Sequence, residues 1–221
     1  MKSLRSMDIK AIVFDFDGVI AESVNIKTEA FQQLFSSYQE HHAQIMAYLH
    51  AHYSYSRFVQ FRGVVEGVLK QPYTSELEQQ LNEKFSQMVV SKIIACPFVP
   101  GAVELLKHCL HKRPMYIVSL TPDQELKGIL SGKGVDSYFK AFYGSTLTKA
   151  QSLREIMRIE KISPSELIFI GDALSDFNAA KETGVCFVAR AQDQAFNGLD
   201  VLSFEDLHEI KEHLIHNVGI V

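Results

Sequence analysis

Four short runs of apolar residues, AIVF (11–14), MYIVS (115–119), LIFIG (167–171) and VCFVA (185–189), are separated by segments of helical period. Runs this short and this apolar have no polar face to leave in water, so they predict strands covered on both sides. The helical patterns include AVELLKHCLH from Ala102, QELKGIL from Gln124, KAQSLREIMRI from Lys149 and FEDLHEIKEHLI from Phe204. Strand and helix in alternation predict an α/β fold, a parallel sheet core with helices on both faces.

Residues 20–96 differ in character. TEAFQQLFSSY, AQIMAYLHAHYSYSRFVQFRGVVEGVL and SELEQQLNEKFSQMVVSKII all have helical period and none reads as a strand. The reading is a core of residues 1–19 and 97–221 interrupted by a helical insert over 20–96. The joins are Gly18-Val19-Ile20 going out and Cys96-Pro97-Phe98-Val99-Pro100-Gly101 returning, where the prolines forbid a continuous helix. Such a double tether would let an insert rock over the sheet edge. Phe31, Phe35, Tyr48, Tyr53, Tyr55, Phe58 and Phe61 fall mostly at helical spacing, which predicts packing within the insert.

With 221 residues the chain suits one sizeable core plus a smaller unit. Its formal net charge of −4, with no long basic run, argues against a nucleic-acid partner. Three scattered cysteines, Cys96, Cys109 and Cys186, form no CxxC and predict core thiols in a reducing compartment. Lys2, Arg5, Asp8 and Lys10 leave no room for an apolar leader segment, and no stretch has the length of a membrane span. A cytoplasmic protein is expected. Nothing in the sequence specifies an oligomeric state.

The first run ends in two acids, as DFDG, with Asp15 and Asp17 one residue apart. In open parallel sheets ligands bind beyond the carboxyl ends of the strands, where these acids fall. A second pair, Asp172 and Asp176 of GDALSD, follows the third run in the same way. Carboxylates packed together repel unless a cation joins them, and hard oxygen ligands suit Mg²⁺. Ser119 ends the second run, and Thr121-Pro122-Asp123-Gln124 reads as a helix start with Thr121 as its cap. Thr148-Lys149-Ala150-Gln151 repeats that box but puts a cation in the first turn, where the helix dipole disfavours it. An anion nearby, either the acid cluster or a bound phosphate, would compensate Lys149.

DFDGVI, the strand-terminal Ser119, Lys149 at a helix start and GDALSD, in this order, resemble the haloacid dehalogenase superfamily of hydrolases. The pattern spans nearly the whole chain, and the helical insert after the first motif resembles the cap of its phosphoglycolate phosphatase-like subgroup. The resemblance implies a Rossmann-like core and a Mg²⁺-dependent phosphatase acting on a small phosphorylated metabolite. It implies Asp15 as the nucleophile that forms an aspartyl-phosphate, and Asp17 as the acid that protonates the leaving group and then deprotonates water. It further implies metal ligation by Asp15, the Asp17 backbone carbonyl and Asp172, with Asp176 closing or orienting the set. Ser119 and nearby backbone N–H groups would hold the phosphoryl group, and Lys149 would bridge phosphate and nucleophile.

Asp17 favours phosphate esters, because relatives that remove halide generally lack an acid there. Sugar phosphomutases and phosphonate hydrolases of the same superfamily remain alternatives, as does a protein that binds a phosphorylated metabolite without turnover. Ala173 departs from the pattern, since relatives often carry Ser or Thr after the third aspartate. Solvated charge is the ordinary fate of insert cations; Arg57, Arg62 and Lys27 are those that could instead meet a substrate anion. His41, His42, His50 and His52 fit no metal motif and read as surface or packing residues, as do His108 and His111.

Overall fold

The structure, a computed structural model, describes residues 8–191 and 196–218. Lys2 and Arg5, which bear on the leader expectation, lie outside the described residues. The chain divides into two compact units, one formed by Met1–Glu22 with Cys96–Val221 and the other by Ser23–Ala95.

In chain order, β1 (Ala11–Phe14) precedes the helical unit, which holds α1 (Val24–Leu34), α2 (His42–Ala51), α3 (Arg57–Arg62) and α4 (Ser75–Ala95). The core resumes with α5 (Ala102–Cys109), β2 (Met115–Val118), α6 (Asp123–Gly132), β3 (Ala141–Tyr143) and α7 (Lys149–Glu160). It closes with β4 (Leu167–Gly171), α8 (Leu174–Thr183), β5 (Cys186–Arg190), β6 (Leu202–Phe204) and α9 (Leu207–His213).

The six strands form one parallel sheet in the order β3-β2-β1-β4-β5-β6. This is the doubly wound Rossmann-like order, and the direction of winding reverses between β1 and β4. Successive strand residues face opposite sides. Ala11, Val13, Tyr116, Val118, Leu167 and Phe169 pack with α7 and α8 through Leu153, Ile156, Ala179 and Ala180. Residues of the other parity, including Ile12, Phe14, Ile117, Ile168 and Ile170, are as fully buried. Each such side chain contributes roughly 1.5–3 kcal/mol relative to exposure.

β3 and β6 are strands that the apolar runs do not reveal. Both are three residues long and sit at the sheet edges, where half-buried positions need no continuous apolar run. Phe204 accordingly ends β6, and Asp206 starts α9 instead by accepting from the backbone N–H groups of His208 and Glu209.

In the helical unit the long pattern 43–69 breaks between α2 and α3, and α3 runs on into a single wide turn at Gly63–Val68. Phe31, Phe61 and Phe85 form a ring cluster with centroids 4.6–5.8 Å apart. Tyr53 and Tyr55, expected inside, are exposed because they fall in the break. The core keeps residues 20–22, because the two crossing segments pair: Val99 N–H donates to Ile20 O at 3.0 Å and Glu22 N–H to Pro97 O at 3.1 Å. Among the described residues no helix is long and apolar enough to cross a membrane.

Candidate active site

β1 and β4 lie side by side at the reversal of the sheet, and Phe14 pairs with Ile170. The next residue, Asp15, donates its backbone N–H to Ile170 O at 2.8 Å, so its side chain leaves the sheet beside the end of β4. One carboxylate oxygen, Oδ1, accepts the Phe16 N–H at 2.6 Å. The chain then turns sharply. Ile20 and Ala21 both donate to Phe16 O, and Gly18 takes φ = +72°, a conformation that costs glycine little. Asp17 stands on this turn, partly exposed.

Lys149 opens α7 behind the complete capping box of Thr148 and Gln151. Its buried ammonium lies 2.6 Å from Asp15 Oδ2 and 2.5 Å from Asp176 Oδ1. The anions that the unfavourable helix position demands are therefore two carboxylates of the acid cluster. Burial alone would favour the neutral amine, but Asp15 and Asp176 outweigh it and hold the lysine above its usual range.

Asp172 follows β4, and Asp176 sits in the first turn of α8, completely buried. Asp176 Oδ2 accepts the Ala173 N–H at 3.1 Å, which fixes the carboxylate from the side opposite Lys149. A Cβ on Gly171 would come within 2.4 Å of Asp176 Cβ, so only glycine lets the two elements approach this closely. Ala173 offers no hydroxyl, so the start of α8 depends on Asp176 reaching back.

Oxygens of Asp15, Asp172 and Asp176 lie within 4.8 Å of one another. Burial, with the neighbouring acids, pushes the Asp15 carboxyl up to about 7 despite the opposing Lys149 charge. Asp172 is raised well above the usual carboxylate range, first by burial and then by the Asp15 charge. One ammonium thus faces more negative charge than it can balance. An all-oxygen donor set with surplus negative charge fits a hard divalent cation.

Ser119 follows β2, is buried, and donates its backbone N–H to Tyr143 O at 2.9 Å. Its Oγ accepts the Thr121 N–H at 3.1 Å, which leaves the hydroxyl proton available to an oxygen anion. Thr121 is not the helix cap that its sequence suggests. The helix begins beyond Pro122, and the buried Thr121 hydroxyl instead donates to Asp17 Oδ2 at 3.3 Å. Asp123 is the local anchor: it accepts from Gly144 N–H at 2.9 Å and from Thr146, tying the start of α6 to the loop that leads to Lys149. Sequence reasoning missed Thr121 and Asp123 because TPDQ satisfies a capping box without any tertiary partner.

Asp15, Asp17, Ser119, Lys149, Asp172 and Asp176 all lie in the core unit, at the carboxyl ends of β1, β2 and β4 or the entry to α7 and α8. Arg57 and Arg62 lie in the helical unit. Arg57 is buried, donates to Ser86 Oγ at 3.0 Å and Asn82 Oδ1 at 3.3 Å, and lies 4.6 Å from the Phe85 ring centre. Arg62 is exposed and stacks 5.0 Å from the Tyr73 ring centre, beside a hollow of about 570 Å³ bordered by Tyr48, Phe58, Glu66 and Glu78.

The chain belongs to the haloacid dehalogenase-like hydrolase family, whose model matches residues 12–190. It is 25% identical over 190 residues to the phosphoglycolate phosphatase of Psychrobacter arcticus, covering 81% of this chain and 82% of that protein. Among solved structures, β-phosphoglucomutase from Clostridium difficile superposes with a TM-score of 0.77 at 17% identity, covering 96% of this chain and 97% of the other. The HAD-hydrolase YfnB of Bacillus subtilis, solved bound to magnesium, gives 0.70 at 17% identity over 94% and 99%. These structural likenesses establish the fold.

Proposed function

We propose that the protein is a Mg²⁺-dependent phosphatase that hydrolyses a small phosphate monoester through an aspartyl-phosphate on Asp15. The observation that carries this reading is the placement of Lys149 against Asp15 and Asp176. A buried ammonium there favours the ionised Asp15 against the effect of its burial and supplies positive charge where phosphoryl oxygens would gather.

Asp15, Asp172, Asp176 and the Asp17 backbone carbonyl would hold Mg²⁺, whose charge when bound offsets the repulsion between an anionic nucleophile and an anionic ester. An Asp15 oxygen attacks phosphorus and the ester P–O bond breaks as Asp17 gives its proton to the departing alkoxide. Asp17, now a carboxylate, takes a proton from water as that water attacks the aspartyl-phosphate. The bond between phosphorus and Asp15 breaks, and inorganic phosphate leaves. Ser119 donates to a phosphoryl oxygen throughout, and Thr121 holds Asp17 by its carboxylate.

The relative named phosphoglycolate phosphatase supports a small phosphorylated metabolite as the substrate class. A carboxylate or second phosphate on that substrate is the group that the exposed Arg62 would recognise, whereas Arg57, buried against Ser86, Asn82 and the Phe85 ring, serves the packing of the helical unit. No disulfide joins the three cysteines, which suits a reducing, cytoplasmic setting. Phosphate release from a panel of phosphorylated metabolites, with Mg²⁺ and with chelator, tests the reading. Release of phosphate that requires the metal supports it. Isomerised sugar phosphate without free phosphate would instead identify a mutase.

A further inference from the structure

Arg190 ends β5, and its side chain is only 4% exposed. Nε donates to Glu205 O at 3.0 Å, Nη1 to Gly18 O at 3.0 Å and Nη2 to Glu22 Oε1 at 2.8 Å. A buried guanidinium is costly unless its donors are matched, and here each nitrogen has a partner. Two of the three partners flank the turn that carries Asp17. Gly18 is the next residue after Asp17, and its N–H already closes the turn on Ala21 O. Gly18 N–H thus holds the Asp17–Gly18 peptide plane, and fixing Gly18 O holds the next plane, Gly18–Val19, so the turn is clamped on both sides of Gly18, the residue after Asp17. Glu22 is the last residue of the core before the helical unit, so the same guanidinium also anchors the far end of the turn.

The Asp17 carboxylate is held independently by Thr121. We infer that Arg190 is a positioning residue for Asp17, acting through Gly18 and Glu22 to keep the turn in the geometry that proton transfer requires. This inference rests on Asp17 being the proton donor. Arg190 also balances the Glu22 charge through their 2.8 Å ion pair. Lysine could supply the charge but not the three-way fork.

The test exploits leaving-group dependence. Ethyl phosphate needs a proton on its departing oxygen, whereas p-nitrophenyl phosphate does not, and kcat/KM reports only the steps up to loss of the leaving group. Native protein, Arg190→Lys, Glu22→Gln and Asp17→Asn are compared on both esters with saturating Mg²⁺. Arg190→Lys and Glu22→Gln are expected to lose about tenfold in kcat/KM on ethyl phosphate and much less on the aryl ester, the same pattern as Asp17→Asn at smaller amplitude. Glu22 is partly exposed, so its variant keeps the test decisive if Arg190→Lys fails to fold. Equal losses on both esters, or none, in folded variants while Asp17→Asn remains selective would overturn the role of Arg190 alone. No selectivity in Asp17→Asn would remove the proton donor and this inference with it.

Discussion

Lys149 Nζ lies 2.6 Å from Asp15 Oδ2, although the two residues are 134 positions apart. The contact joins the end of β1 to the start of α7 and places the only buried ammonium among the described residues beside the proposed nucleophile. It adds a structural role, pairing two buried carboxylates, to the catalytic role proposed for Lys149.

Lys149→Met removes that charge while roughly preserving the stem. Phosphatase kcat is expected to fall about 10²–10³-fold, because the transition state loses a preorganised cation. The variant also leaves Asp15 and Asp176 facing each other without their counter-charge. Lower thermal stability at neutral pH, partly restored by acid, is the accompanying result, read by melting curves at two pH values.

The metal-free protein has a defined pH dependence. Asp15 rises from the ordinary carboxylate range to about 7 on folding, so the folded state binds a proton more tightly than the unfolded one. The resulting stability is fully present below about pH 4, the unfolded value, and is lost as pH rises through about 7. Melting temperature in chelator should therefore fall between pH 5 and pH 8 by about 5 °C or more. Added Mg²⁺ should recover most at the alkaline end. A flat profile in chelator would show that the acid cluster carries no surplus charge.

Gly171→Ala drives a methyl into Asp176, with Cγ 2.5 Å and Oδ2 2.7 Å from the new carbon. Asp176 must shift, and Lys149 and the Ala173 N–H lose their common partner. Mg²⁺ affinity and kcat should each drop by about tenfold or more. Titration of Mg²⁺ against activity, with circular dichroism as the check on folding, measures both.

Arg62→Ala is the corresponding probe of the helical unit. Its guanidinium is exposed and stacks on Tyr73, so its removal should cost under about 0.5 kcal/mol of stability. If Arg62 meets a second anionic group on the substrate, KM for a carboxylated or doubly phosphorylated ester rises about tenfold while kcat on p-nitrophenyl phosphate is unaffected. Unchanged KM across such a panel removes Arg62 from the specificity set.

The four central strands were legible because burial on both faces leaves an unbroken apolar run, as in LIFIG. β3 and β6 were not, since an edge strand can be three half-buried residues such as AFY. The site divides in the same way. Lys149 announced itself through a conflict, a cation at a helix start, which only tertiary structure resolves. Thr121 and Arg190 carried no such conflict. A threonine before proline satisfies local capping rules, and an arginine after an apolar strand looks like a solvated end. Their partners, Asp17 at 3.3 Å and Gly18 O at 3.0 Å, are 104 and 172 residues away, beyond the reach of any local pattern.

A phosphorylated Asp15 is directly observable. The native protein, Mg²⁺ and a turned-over ester labelled in its phosphate are quenched in acid within the first turnovers, and the peptide containing Asp15 is isolated. An acid-stable, hydroxylamine-labile phosphate on that peptide, absent from Asp15→Asn, is the predicted result. Phosphate release that proceeds with no label on the peptide, or that persists in a folded Asp15→Asn variant, would contradict it.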